Sequence, residues 1–237
     1  MTLLPPPAGL DDGTQPEALQ VSGLGRNATW LYVDSLTSIL GGIFLLGFSF
    51  RRLGASEYGL YALVTTVLAV FGTVDFGLKL FVIRATARDS ESFAEEERIQ
   101  ARRDVETAYS TYTVWGLFVL AATGISMFMV ANSHSNFFAG EHVPLLVFLV
   151  GFSSALQLST ASFAGIAAGR NQFQVASIGG LAGTGVRIAI VVTTISHLNL
   201  VALGAASLAS VLVSQGYCGW WVRRHEPWFH RLPRPVS

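Results

Sequence analysis

About six apolar stretches, each close to the length that crosses a bilayer, dominate this sequence. A helix rises about 1.5 Å per residue, so roughly 20 apolar residues cover the ~30 Å hydrocarbon core. The stretches are separated by short polar segments and run approximately from Leu31 to Phe50, Gly59 to Ile83, Tyr109 to Ala131, Val143 to Ala168, Val175 to His197 and Leu200 to Val222. The sequence therefore predicts an all-α fold, a polytopic integral membrane bundle of about six transmembrane helices.

Composition and charge agree with a membrane protein. Hydrophobic residues make up 51% and charged residues only 13%, and fifteen basic residues balance fifteen acidic ones. This balance makes the net charge itself uninformative, so only its distribution is used, and no nucleic-acid partner is expected. Alternating the stretches across the bilayer leaves Arg51 and Arg52 on one side and eleven arginines on the other: Arg26, Arg84, Arg88, Arg98, Arg102, Arg103, Arg170, Arg223, Arg224, Arg231 and Arg234. The positive-inside rule then predicts a multi-pass protein of the plasma membrane with both termini in the cytoplasm.

This pattern divides the chain into three parts. Residues 1–26 are predicted to be a disordered cytoplasmic tail, residues 27–222 a six-helix transmembrane domain, and residues 223–237 a basic cytoplasmic tail. His134, Glu141 and His142 lack the ligand spacing of a metal site, and no catalytic constellation or phosphate-binding glycine loop is present. We therefore expect neither enzymatic activity nor a metal or other cofactor.

Ionisable groups inside the apolar stretches are the candidate functional residues, because a charge in the hydrocarbon core is costly. Arg187 lies about a dozen residues into the fifth stretch, too deep to reach water easily, and is the main candidate for holding an anion. Asp34 shares one helical face with Asn27, Ser38 and Gly41, which predicts a polar stripe turned inward. Alternatively, Asp34 caps or hydrates the cytoplasmic end of its helix.

The second and fourth stretches contribute three further candidates. Asp75 precedes Lys79 by one helical turn, which favours an ion pair within a stripe that also contains Thr65 and Ala69. Alternatively, Lys79 reaches water along its own stem and marks the topology. Gln157 lies among serines and threonines of the fourth stretch, where its alternative role is hydrogen bonding between helices.

Small residues predict close helix packing. Gly165 with Gly169 and Gly179 with Gly183 both have G-x-x-x-G spacing, which lets helix backbones approach closely in lipid. These two motifs lie in the fourth and fifth stretches, which we therefore predict to be neighbours.

The segment RRLGASEYGLYAL at 51–63, followed by DFGL at 75–78, carries a family resemblance. A turn of the form R-x-L-G-x-x-x-Y-G-x-Y joins two apolar helices, and the second helix ends near D-x-G-L with Arg84 following. The chain thereby resembles polysaccharide biosynthesis proteins that act as oligosaccharide flippases. The resemblance covers 25–88 well and the rest only by the number of stretches and the loop charges.

The resemblance implies a member of the multidrug, oligosaccharidyl-lipid and polysaccharide exporter superfamily, in which two six-helix lobes surround a central cavity. This chain corresponds to one lobe. Three interpretations follow: a truncated product, a half-transporter that pairs with a second copy or with a separate chain for the other half, or a degenerate copy.

The resemblance also implies a function, transport of a lipid-linked oligosaccharide for cell-surface polysaccharide synthesis by alternating access. The lipid tail would stay in the bilayer, Arg187 would hold the phosphate charge, and Asp34, Asp75 and Lys79 would hydrate or gate the cavity. One alternative is a small-molecule antiporter of the same superfamily, which predicts a protonatable carboxylate deep in the cavity. Another is a membrane subunit or remnant that transports nothing.

Overall fold

Apolar sequences in lipid must satisfy their backbone hydrogen bonds internally, which a helix achieves within one segment. The computed structural model describes residues 16–73, 77–91, 94–132 and 142–230 and contains only helices there. They are α1 (Pro16–Thr73), α2 (Leu78–Glu91), α3 (Glu95–Ala131), α4 (Val143–Ser159), α5 (Ala161–Gly169), α6 (Phe173–Leu198) and α7 (Leu200–His225), followed by a 3-10 turn, Pro227–His230. The predicted all-α fold is confirmed. Helix α1 begins within the predicted N-terminal tail.

Within the described residues, five helical segments are long and apolar enough to cross a membrane: Asn27–Val70, Glu95–Ala131, Val143–Gly169, Phe173–Leu198 and Leu200–His225. The first contains 44 residues. As one straight helix it would extend about 66 Å, twice the hydrocarbon thickness. Its continuity is interrupted at Gly54, where φ is 81° and ψ is 173°. That conformation is open almost only to glycine and cannot continue a helix.

The chain reverses direction at Gly54. Gly41, before the break, packs against Thr184 and Ile188 of α6. Tyr61, after the break, accepts a hydrogen bond from Arg187 on the same part of α6. Since twenty residues of unbroken helix would separate Gly41 from Tyr61 by about 30 Å, the two halves of α1 must lie side by side. The segment therefore supplies two crossings, which brings the total to the predicted six.

The predicted second stretch, Gly59 to Ile83, is not one helix. Helix α1 ends at Thr73, Gly77 has φ of 72°, and α2 begins at Leu78. The predicted stripe from Thr65 to Lys79 is therefore wrong as a single helical face, because the helix is interrupted between its members. Asp75 itself lies outside the described residues. The fourth stretch is also divided, at Thr160, into α4 and α5.

The first half of α1 has the predicted polar face. Asn27 donates a 2.6 Å hydrogen bond to Oδ1 of Asn171, in the turn before α6. Asp34 lies against Gly180 on α6 itself. The apolar residues on the other faces of this half point away from the bundle, since Leu36 and Ile43 are 58% and 65% exposed. The periodicity of the sequence therefore identified correctly which side of α1 faces inward.

The two glycine motifs do not pack against each other. Gly165 and Gly169 lie against Val82 and Thr86 of α2. Gly179 and Gly183 lie against α7, where the carbonyl oxygens of Ser214 and Ser210 approach them. The fourth and fifth stretches are neighbours, as predicted, because Ala167 of α5 and Val175 of α6 share an apolar cluster, but the glycine motifs do not join them. The spacing indicates where a helix allows close approach but does not identify the partner helix.

Two separate clusters form the main apolar core. One contains Leu60, Leu146, Val191 and Leu203 from α1, α4, α6 and α7. The other contains Val82, Val105, Tyr112, Ile166 and Val222 from α2, α3, α5 and α7. Along α7 the first cluster ends at Ala206 and the second begins at Val222, and a run rich in serine lies between them. The interior thus becomes polar halfway along the helices.

Candidate functional site

A polar cavity of about 480 Å³ occupies the gap between the two apolar clusters, and we call it the central cavity. It is bounded by both halves of α1 and by α4, α6 and α7. Most of its polar lining comes from hydroxyl, amide and charged side chains: Asp34, Ser38, Tyr61, Thr65, Ser153, Ser154, Gln157, Thr184, Arg187, Ser207, Ser210 and Ser214. A water-accessible space halfway along a membrane bundle is where transporter substrates bind.

Arg187 supplies positive charge to the central cavity. It lies fourteen residues after the start of α6 at Phe173, about 20 Å along the helix. Its Nη2 donates a 2.7 Å hydrogen bond to the hydroxyl of Tyr61, which is 6% exposed. Within the described part of the chain, no carboxylate lies within 4 Å of the guanidinium. The tyrosine orients Arg187 without neutralising it.

Asp34 contributes an unsatisfied acceptor to the same cavity. Its Oδ1 is buried and has no hydrogen-bond partner among the described residues. It fits beside Gly180, where a Cβ atom would lie only 2.5 Å from Oδ1. Because α1 begins at Pro16, Asp34 is well inside the helix and does not cap its end. The capping interpretation of Asp34 is therefore wrong.

Lys79 lines a second, smaller cavity of about 320 Å³. Ala69, Ser154 and Gln157 line both cavities, so the two spaces meet at α4. The structure thus brings Arg187, Asp34 and Gln157 to the central cavity and places Lys79 in the adjoining one. Ser154 and Gln157 are the polar residues through which the two cavities join.

A buried ionic network lies beyond the second apolar cluster, and sequence reasoning missed it as a unit. We call it the end cluster, formed by Asp89, Arg102, Arg170, Glu226 and Trp228. Arg170 bridges two carboxylates, with Nη2 2.5 Å from Oδ2 of Asp89 and Nε 2.6 Å from Oε1 of Glu226. Arg102 Nε donates to Asp89 over 2.9 Å, and Trp228 Nε1 donates to Glu226 over 2.6 Å.

The end cluster buries both of its carboxylates. The Asp89 side chain is only 1% exposed and that of Glu226 8%. Burial lowers the pKa of Arg170, but the hydrogen bond and charge of Glu226, with those of Asp89, outweigh it and raise the pKa overall. The cluster thereby connects α2, α3, the turn before α6, and the end of α7. In the sequence, its arginines were indistinguishable from topology markers, and its carboxylates carried no signal of their own.

A family model described as polysaccharide biosynthesis protein matches residues 50–231. The chain belongs to this family. Comparisons with curated proteins and with solved structures gave no significant match. The suspected family is thereby confirmed, over a much longer part of the chain than the residues that first indicated it.

In this polysaccharide biosynthesis protein, the range matched by the family model covers residues of both polar regions. It contains Tyr61, Gln157 and Arg187 of the central cavity and every member of the end cluster. Asp34 precedes it. Together with the five helical segments long enough to span a bilayer, the match describes a multi-pass membrane protein of polysaccharide biosynthesis.

Proposed function

We propose that this protein moves a lipid-linked oligosaccharide across the plasma membrane by alternating access, with both termini in the cytoplasm. The observation that carries the proposal is Arg187, a guanidinium that faces the central cavity with no carboxylate within 4 Å among the described residues. A buried cation of this kind suits a diphosphate, because the guanidinium fork matches phosphate oxygens in pairs.

The rest of the cavity suits the sugar. Hydroxyls of α7 and the amide of Gln157 offer donors and acceptors to a carbohydrate, while the apolar tail remains in the surrounding lipid. The central cavity is not fully enclosed by this bundle, and a second lobe would close it. We propose that a second copy or a separate chain supplies that lobe. The proposed role includes no covalent step.

The test is an inversion assay in proteoliposomes that contain the full 237-residue chain. A fluorescent polyprenyl-diphosphate oligosaccharide serves as the probe. The wild-type chain is expected to move it, and Arg187→Ala is expected to lower the rate at least tenfold, as about 1.4 kcal/mol of lost phosphate binding would. Arg51→Ala is the matched control, since Arg51 is exposed and does not line the central cavity.

Two results would count against the proposal. Equal transport by Arg187→Ala and the wild type would remove Arg187 from the substrate site. No transport by a folded, inserted wild-type chain would contradict a working half-transporter and favour a subunit that transports nothing without another lobe.

One observation favours a second candidate function, a small-molecule antiporter. Asp34 presents a buried, unpartnered carboxylate oxygen beside the central cavity, which suits an organic cation. Uptake of a fluorescent cation into the same proteoliposomes distinguishes the two functions. Transport of the cation that is lost in Asp34→Asn, without transport of the oligosaccharide, would establish the antiporter.

A further inference from the structure

A narrow apolar groove runs along the outer side of α7, and we call it the α7 groove. It encloses about 290 Å³ and is lined from α4 and α5 by Leu156, Thr160 and Phe163. From α7 it is lined at intervals from Leu212 to Arg223, which is about 17 Å of helix. That length is close to the thickness of one leaflet of the hydrocarbon core, about 15 Å.

Glycine residues make room for the groove. A Cβ atom built at Gly216 would have no other atom within 4 Å, so this part of α7 faces open space. At Gly219 the nearest atom is Cε2 of Phe163, 3.1 Å away, which marks the inner wall. An extended hydrocarbon chain can lie along this open strip of α7, whose length matches one leaflet.

The α7 groove is separate from the central cavity. Gln157 and Val211 line the cavity, whereas their neighbours in sequence, Leu156 and Leu212, line the groove. The two spaces therefore lie on opposite sides of the contact between α4 and α7. A molecule in the groove does not occupy the proposed substrate site.

A free positive charge stands at one end of the groove. Arg223 lines it, is exposed, and has no carboxylate within 4 Å among the described residues. Glu226, the nearest acidic residue along the chain, is already bound by Arg170 and Trp228. The next residue, Arg224, instead stacks its guanidinium 5.5 Å from the centre of the Trp220 ring. A half-exposed tryptophan beside arginines is typical of the level of the lipid headgroups.

We propose that the α7 groove binds one acyl chain of an anionic phospholipid, whose phosphate binds Arg223. A molecule with an apolar chain joined at one end to an anionic head matches both features. Charge complementarity selects an anionic headgroup over a zwitterionic one, because the groove presents an unneutralised cation at headgroup level. This site is independent of the proposed transport function.

The experiment is native mass spectrometry of the full chain in detergent, titrated with phosphatidylglycerol or phosphatidylcholine of identical acyl chains. The wild type is expected to retain one phosphatidylglycerol with about fivefold preference, the effect of one arginine near an anionic lipid. Arg223→Gln is expected to abolish the preference. Arg224→Gln is the matched control and is expected to keep it, because Arg224 does not line the groove.

A second pair of variants tests the groove itself. Gly216→Leu fills the open space and is expected to weaken binding of both lipids at least tenfold. Gly185→Leu on α6 is the control, because a Cβ there also meets nothing within 4 Å. Equal affinity for the two lipids in the wild type, or equal loss in both arginine variants, would overturn the proposal. So would unchanged binding by a folded Gly216→Leu. If Gly216→Leu does not fold, the comparison of Arg223→Gln with Arg224→Gln tests the proposal on its own.

Discussion

The end cluster and the central cavity both contain buried charged side chains, but among the described residues these are paired with opposite charges in the end cluster and unpaired in the central cavity. In the end cluster, Arg170 lies within 2.6 Å of two carboxylate oxygens, one on α2 and one just after α7, and Arg102 also binds the first carboxylate. In the central cavity, Arg187 is held only by a tyrosine hydroxyl, and Oδ1 of Asp34 has no partner among the described residues.

The difference separates structural charge from charge available to a ligand. A buried ion pair that satisfies itself fixes helix positions, and removing one partner leaves an unpaired charge. An unsatisfied buried group contributes nothing comparable to stability and persists in membrane proteins where a substrate or ion uses it. On this reasoning, substitutions in the end cluster should affect folding, and those in the central cavity should affect transport.

The largest effect on stability is expected for Asp89→Asn. The substitution keeps the shape of the side chain but leaves Arg170 and Arg102 facing a neutral amide. Because Asp89 is 1% exposed, the loss in unfolding free energy should approach that of a broken buried pair, about 3 kcal/mol. Unfolding of the purified protein in detergent, induced by heat or by sodium dodecyl sulfate, measures it.

Asp104→Asn is the matched control for Asp89→Asn. Asp104 pairs with Arg88 at 3.2 Å, but the Arg88 side chain is 60% exposed. An exposed pair contributes less than about 1 kcal/mol, so this variant should unfold nearly like the wild type. Similar losses in the two variants would mean that burial does not distinguish the end cluster from an ordinary surface pair.

The next largest effect is expected where a glycine brings α6 and α7 together beside the central cavity. A Cβ atom at Gly183 would lie 2.8 Å from the carbonyl oxygen of Ser210, a cavity-lining residue. Gly183→Ala should therefore force the two helices apart and lower the unfolding free energy by about 2 kcal/mol. The same unfolding measurement applies.

Two residues further along α6, the same substitution should have the opposite sign. A Cβ at Gly185 meets no atom within 4 Å, so Gly185→Ala should be neutral or stabilise the helix by up to about 1 kcal/mol. Equal destabilisation by both variants would show that the contact with Ser210 does not control this position, because only Gly183 makes that contact.

A smaller loss is expected for Tyr61→Phe, which removes the hydroxyl that accepts a hydrogen bond from Arg187. Hydrogen bonds between membrane helices contribute about 0.6 kcal/mol on average. The thermal unfolding temperature should decrease accordingly. In the transport assay, the half-maximal rate should require a higher substrate concentration, because Arg187 is no longer oriented. Tyr109→Phe is the control, since Tyr109 lies outside the central cavity and stacks on Phe163. An unchanged half-saturation would show that the hydroxyl does not position Arg187.

The two regions also differ in how well the sequence predicted them. Helical spacing identified the inward face of α1, and depth within an apolar stretch identified Arg187, because both signals are local. The reversal at Gly54 fits the predicted turn between two helices, since the glycine of the R-x-L-G segment adopts a conformation that other residues avoid. Local patterns were therefore sufficient for most of the central cavity.

The end cluster was not predictable in this way. Arg170 is 81 residues from Asp89 and 56 from Glu226, and no periodicity relates positions so far apart. The break at Gly77 was missed because the hydropathy of the surrounding stretch continues across it. The partners of the glycine motifs were assigned wrongly because a small residue permits close approach by any helix. Tertiary packing, rather than the local sequence pattern, determines the end cluster, the break at Gly77 and the partners of the glycine motifs.

The smallest effect on stability is expected for Asp34→Asn, the same change as in the end cluster at a site with a different environment. Oδ1 of Asp34 has no hydrogen bond to lose. A neutral side chain at this position also costs less free energy to bury in the bundle interior than a charged one. The unfolding free energy should stay within about 0.5 kcal/mol of the wild type or rise, while transport changes. A loss as large as that of Asp89→Asn would mean that Asp34 is held by a partner in the folded protein. The central cavity would then be a second structural cluster, and the separation between charge that stabilises and charge that binds would fail.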